Sequence, residues 1–333
     1  MVLVGLLGLS GCGYFGATTQ SFSIEQQRAL RAALLPAENV VMNAFENAQF
    51  VGLGDAHYYA NYMAAITKLV TSERVVEQAS MVVVEFGNQK YQSWVDEYVS
   101  GADVDESRLP LVTRETIYFT AWLSDEYVDF FKAVRAYNLV PEHTKKIRVV
   151  LAESYFDWAQ VQNSEQWRQA AENKVDGFFQ QIKPLLNSGE KAVLVFGGFH
   201  LLSSKQKEHT LIDKIEHEKP HSTYAIWPMI PEPLAKAFEP TQRGIIATNN
   251  TVLRSVDFAD ILPKAKNTLA TMKMQDAKLA DMVDAFMYMG PNSRDLSVSD
   301  SSRNDAKWMA QMHSRVKLIG GRLQARFESI LKG

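Results

Sequence analysis

Short runs in which nearly every position is apolar alternate along the chain with longer stretches where apolar residues recur every three or four positions. The short runs are QFVGLG (49–54), MVVVEF (81–86), IRVVLAE (147–153), AVLVFGG (192–198), TYAIWP (223–228) and DAFMYMG (284–290). They have the length of strands, and their lack of alternation predicts strands covered on both faces, as in a parallel sheet. The longer stretches predict helices over 59–72, 89–99, 124–138 and 164–187, with Ser164 capping the first turn of the last one. GPNSRDLSVSDSS (290–302) reads as a loop leading into a final amphipathic helix, roughly 303–331. The expected fold class is therefore α/β: a central, mainly parallel sheet with helices on both faces, and a C-terminal amphipathic helix packed on the domain.

That expectation gives weight to where the ionisable residues fall. In a parallel sheet all carboxyl ends lie on one edge, and ligands bind in the crevice beyond it. Four predicted strands end in ionisable side chains: the first at Asp55 and His57, the second at Glu85, the third at Glu153 and the fourth at His200. Imidazoles and carboxylates suit a divalent metal, with His57, Glu85 and His200 as candidate ligands. The same residues also suit metal-free chemistry, in which a histidine acts as general base on water and a carboxylate fixes its tautomer. Glycines beside the histidines (Gly54, Gly197, Gly198) allow close backbone approach.

Other roles compete with these. Asp55 and Glu153 have the right positions to cap helices beginning near Tyr58 and Phe156. Glu85, at the end of a very apolar strand, demands a partner, for which Arg114 and Arg135 are candidates. Arg135 could equally anchor an anionic substrate. His143, His209, His217, His221 and His313 sit in polar or helical surroundings and read as surface residues. No Gly-x-Ser-x-Gly elbow, Gly-x-Gly-x-x-Gly or P-loop pattern is present, which argues against a serine triad and these nucleotide-binding motifs.

Composition narrows the picture. The 333 residues are 46% hydrophobic and 22% charged with a net charge of -3, an ordinary globular mixture without the basic cluster that nucleic acid would need. The single cysteine, Cys12, excludes an internal disulfide and a cysteine zinc cluster. It follows an apolar stretch, Val2–Leu9, through Leu9-Ser10-Gly11, and this resembles a bacterial lipobox, although no Lys or Arg precedes the stretch. The stretch is also too short to span a bilayer, which takes about 20 apolar residues. The expected organisation is a lipoprotein signal peptide (1–11), a lipidated Cys12 with its linker (12–22), an α/β domain (23–300) and the C-terminal helix (301–333). Gly13 after the cysteine implies outer-membrane sorting. The protein is thus expected in the bacterial envelope, facing the periplasm and held to the membrane by lipid.

Several blocks occur in an order that resembles the erythromycin esterase-like and ChaN-like (Tiki) superfamily, closest to its uncharacterised bacterial lipoprotein branch. They are GLGDAH, VVVEFGNQKYQSWVDEYVSG, FFKAVRAYN, RVVLAESYFDW, VLVFGGFHL and DAFMYMGP, spread over roughly residues 45 to 290. Gly54, Asp55 and His57 match the family's opening Gly-acid-x-His, Glu85 its second acid, Arg135 and Asn138 its helix end, and Gly198 and His200 its late Gly-x-His. The opening acid is Asp where the family usually has Glu, and the third strand ends in Glu153 without the family's prolines. The resemblance implies one of three roles: a hydrolase of small molecules or peptides using His57, Glu85 and His200, supported by Asp55, Glu153 and Arg135; a haem-binding lipoprotein with Tyr58, Tyr59 or His57 as axial ligand; or a non-catalytic scaffold.

Overall fold

The computed structural model describes residues 21–57, 59–204, 209–228, 236–261, 276–290 and 298–332. The lipobox segment with Cys12, and Tyr58, lie outside them. Seven strands form one sheet: β1 (Phe50–Asp55), β2 (Met81–Asn88), β3 (Arg148–Glu153), β4 (Ala192–Gly197), β5 (Thr223–Pro228), β6 (Gly244–Ala247) and β7 (Ala285–Tyr288). Their order is β3-β2-β4-β1-β5-β7-β6. All pairings are parallel except that of β6 with β7. The six strands expected from apolar runs are all present, and the α/β class holds. Strand β6 is the addition. Its four residues, GIIA, are too short to register as a run, and they become a strand by pairing antiparallel to β7 at the sheet edge.

The strands carry apolar residues at every position because both faces are covered. Helices α1 (Ile24–Ala32) and α2 (Ala37–Ala44) precede β1; α3 (Ala60–Val70) and α4 (Glu73–Gln78) link β1 to β2. Three more helices, α5 (Gln92–Ser100), α6 (Leu109–Arg114) and α7 (Glu126–Leu139), lie between β2 and β3. Beyond β3 come α8 (Ser164–Glu172) and α9 (Lys174–Ser188), and beyond β4 comes α10 (Leu211–Glu218). Val51, Leu53, Val82, Val84 and Val195 share a core with Tyr62 and Ile66 of α3 and Phe130 and Val134 of α7. The opposite face buries Phe50, Val83, Leu194 and Phe196 against Phe178 and Ile182 of α9 and Ile215 of α10.

Two predicted helices are each broken in two. The stretch 164–187 divides at Asn173 into α8 and α9. Asn163, not Ser164, caps α8: its side chain accepts from the Gln166 N–H at 3.0 Å. The C-terminal helix is likewise a pair, Ala306–Ile319 and Gly321–Lys332, parted at Gly320 and Gly321. Both glycines have positive φ, 69° and 60°, which a residue with a Cβ resists. The pair does pack on the domain. Trp308, Met312, Val316 and Phe327 close a separate core with Tyr118, Phe119, Phe156, Trp158 and Trp167, all from segments that follow β2 and β3. Within the expected loop 290–302, Asp300–Arg303 is a helical turn, and 291–297 lie outside the described residues. Among the described residues no helix is long and apolar enough to cross a membrane.

Candidate functional site

Adjacent strands lie about 4.8 Å apart, so β1 and β2, with β4 between them, are separated by about twice that. Side chains from β1 and β2 meet only if β4 presents nothing in the way, and β4 ends in Gly197 followed by Gly198. A Cβ on Gly197 would stand 2.8 Å from His57 Nε2 and 3.1 Å from Glu85 Oε2. Both groups therefore close on the bare end of β4 from either side. Gly198 is needed for a different reason: a Cβ there would lie 2.1 Å from the indole nitrogen of Trp227.

His57 is oriented from behind. Its Nδ1 lies 2.9 Å from Asp55 Oδ2, and the Tyr127 hydroxyl donates to the same oxygen at 2.8 Å. A carboxylate can only accept, so Nδ1 is the donor in this bond and Nε2 is turned toward Gly197. The edge-on ring of Trp122, 4.6 Å away, fixes the imidazole plane. Asp55 is not a helix cap. The following helix starts at Ala60 with Tyr59 at its N-cap and no side-chain cap.

Glu85 is 1% exposed. Its Oε2 accepts the Gly197 N–H at 2.6 Å, its Oε1 accepts the Lys174 ammonium, and His200 Nε2 stands 3.3 Å from Oε1. Burial pushes this carboxyl up, but Lys174, His200 and, to a smaller extent, His57 outweigh it and hold the group well below the usual carboxylate range. Neither expected arginine takes part. Arg135 donates to the carbonyls of Tyr98 and Gly101 and lies over the Tyr98 ring, closing the C-terminal end of α5. Its place as a supporting residue of the site is corrected accordingly: α7 runs beside α5 and carries Arg135 to that helix end. Arg114 pairs with Asp305 at 2.6 Å.

The partner that sequence reasoning missed is Lys174, the first residue of α9. It is buried beneath the rings of Tyr118 and Phe178, 4.5 and 5.1 Å from their centroids. The one available signal was local. A cation in the first turn of a helix opposes the helix dipole, and so asks for a reason.

Glu153 completes the cluster. Its Oε1 accepts the Ile117 N–H at 2.8 Å, while its buried Oε2 has no hydrogen-bond partner among the described residues. Burial pushes this carboxyl up to about 8, Lys174 and the Ile117 N–H opposing and the Glu85 charge adding to the rise. It caps nothing: Asp157 caps the next helical turn. The loops bearing Ile117 and Phe156 are held by the buried Asn88, whose amide donates to the carbonyls of Glu115 and Phe156 at 2.6 and 2.8 Å.

A cavity of about 600 Å³ is lined among others by Arg114, Trp122, Leu123, Ser124, Ser302 and Trp308, and by none of His57, Glu85, Glu153, Lys174 and His200. Trp122 is shared between this cavity and His57.

The expected metal shell does not fit. No group of three or more His, Cys, Asp or Glu able to hold a metal ion forms among the described residues. Glu85 already gives one oxygen to an ammonium and the other to a backbone N–H. For haem, Tyr59 does not fit either: its ring is buried in the core against Tyr62. The other proposed tyrosine, Tyr58, lies outside the described residues.

No protein-family model and no curated protein matches the chain. Among solved structures, a succinoglycan biosynthesis protein is similar at 10% identity and a TM-score of 0.52, over 83% of this chain and 99% of that one. A Bacillus cereus protein is similar at 11% identity and a TM-score of 0.56, over 82% and 99%. ChaN of Campylobacter jejuni, whose structure shows cofacial haem binding, aligns at 11% identity over 59% of this chain and 86% of that one, with a TM-score of only 0.40. At 10 and 11% identity the first two likenesses are likenesses of fold, and the third falls short of that.

Proposed function

We propose that the protein is a hydrolase of the erythromycin esterase-like and ChaN-like superfamily that cleaves an acyl bond in a small molecule or peptide. The observation that carries this is the Asp55–His57 pair, which turns Nε2 of a part-buried imidazole toward Gly197 and Glu85. In this reading His57 takes a proton from water, and Asp55 stabilises the imidazolium that forms. Glu85, held ionised, accepts a hydrogen bond from the same water and aims it. As water adds to the carbonyl carbon and the acyl bond breaks, the His57 imidazolium returns that proton to the leaving group, while His200, 3.3 Å from Glu85 Oε1, helps to hold the carboxylate in place. The cavity beside Trp122 is of a size for a small substrate. Lipid attachment through Cys12, facing the periplasm from the outer membrane, belongs to the same proposal.

The test is turnover of a panel of aryl esters, lactones and peptides by the purified protein. His57→Ala should lower kcat by about a thousandfold or more, and Asp55→Asn by a comparable factor through the wrong tautomer, with circular dichroism unchanged. Full activity in His57→Ala, or no turnover of any panel member by the wild type, would set the reading aside.

A further inference from the structure

Lys174 is an uncommon residue for its place. Lysine is seldom buried without a partner, and this one opens a helix whose N-terminal dipole repels it. What it meets there is a carboxylate oxygen of Glu85 and the π-faces of Tyr118 and Phe178. Its charge also reaches Glu153 on the neighbouring strand. Around its partner Glu85 stand groups that bind divalent metals in other settings: the imidazoles of His57 and His200, which follow β1 and β4, and the carboxyl of Glu153 on β3.

We infer that Lys174 is the resident cation of this centre: its ammonium takes the oxygen, Oε1, through which a divalent metal would join Glu85 to His200, and it bars metal from the site. This deepens the hydrolytic reading, resting on it only in taking the Glu85 cluster as the working centre. Glu85 and Lys174 neutralise each other, so a dication entering this low-dielectric pocket would meet an ammonium and no uncompensated carboxylate. An ammonium offers charge but no coordination site, so it cannot acidify a bound water as zinc does. Activation of water then falls to the Asp55–His57 pair, which is built for it. Taking the ammonium away reverses the balance. It leaves a buried carboxylate without its counter-charge, with His200 beside it and near the Glu153 oxygen that has no hydrogen-bond partner among the described residues. Such a set favours a hard-to-borderline dication such as zinc or manganese.

The experiment titrates zinc chloride and manganese chloride into the chelator-dialysed full chain, read by calorimetry and by the thermal midpoint. Lys174→Met, which keeps the length and apolar stem, is compared with wild type, Glu85→Gln and the double variant. Wild type should take up no equivalent that Glu85→Gln removes. Lys174→Met should bind one equivalent at least about tenfold more tightly, with a midpoint that climbs with metal concentration, and the double variant should lose that gain. One equivalent bound by wild type and lost in Glu85→Gln would overturn the inference. So would a folded Lys174→Met that gains nothing. Should Lys174→Met fail to fold, the comparison of wild type with Glu85→Gln still decides. Metal uptake is read without substrate, so this result and the His57→Ala turnover result stand or fall separately.

Discussion

Glu85 and Glu153 lie on neighbouring strands, and their surroundings push them in opposite directions. Glu85 is held well below 4.5, so its contribution to stability is present above that value and is lost as pH falls through its folded pKa. Glu153 is raised from 4.5 to about 8, so the folded state keeps a proton that the unfolded chain has given up. Its contribution is fullest below 4.5 and drains away as pH rises to about 8. Glu153→Gln stays neutral and keeps an acceptor for the Ile117 N–H. Urea unfolding from about pH 5 to about pH 8 should show wild type losing a few kcal/mol relative to Glu153→Gln. Parallel curves for the two proteins would show that Glu153 carries no raised pKa.

The break between α8 and α9 creates the position that Lys174 fills. Asn163 and Ser164 are both good capping residues, and the sequence offers them side by side. Packing chooses between them. Starting α8 at Ser164 turns Trp167 and Ala171 into the core shared with the C-terminal helices, while α9 turns Phe178 and Ile182 onto the sheet. One straight helix from 164 to 187 could not face both. Asn163→Ala should therefore cost about 1 kcal/mol in urea unfolding, while Ser164→Ala, a change within the helix proper, should stay within about half of that. The reverse ranking would restore Ser164 as the cap. The same logic parts the C-terminal helix at Gly320 and Gly321: periodicity runs on across the joint, and only the backbone dihedrals reveal it.

For the whole molecule, strand order decides which residues meet. The order β2-β4-β1 places Glu85 and His57 on either side of a strand that ends in glycine, and β3 brings Glu153 next to Glu85. The core of the C-terminal helices holds the segment 117–123, which supplies Tyr118 above Lys174 and, through Trp122, the wall of His57. The proposed anchoring adds a last prediction at this scale. Cys12→Ala should move the protein from the membrane fraction to the soluble fraction of cells expressing the full chain, and equal membrane retention of both forms would reject lipidation at Cys12.

The sequence by itself determined the α/β class, six of the seven strands and the placing of Asp55, His57, Glu153 and His200 at or just past strand ends, while Glu85 lies three residues inside β2, which runs on to Asn88 where the apolar run had stopped. Burial on both faces writes itself into continuous apolar runs, and an ionisable residue at the end of such a run stands out without any structure. It did not determine that β4 lies between β1 and β2, since strand order follows from crossovers that leave no local trace. For the same reason it could not foresee that the partner of Glu85 is a lysine 89 residues away rather than an arginine. Ion pairing in a core depends on which helix start lies within a few ångströms, and only the tertiary structure brings Lys174 there, filling with an ammonium the place for which a metal had been expected.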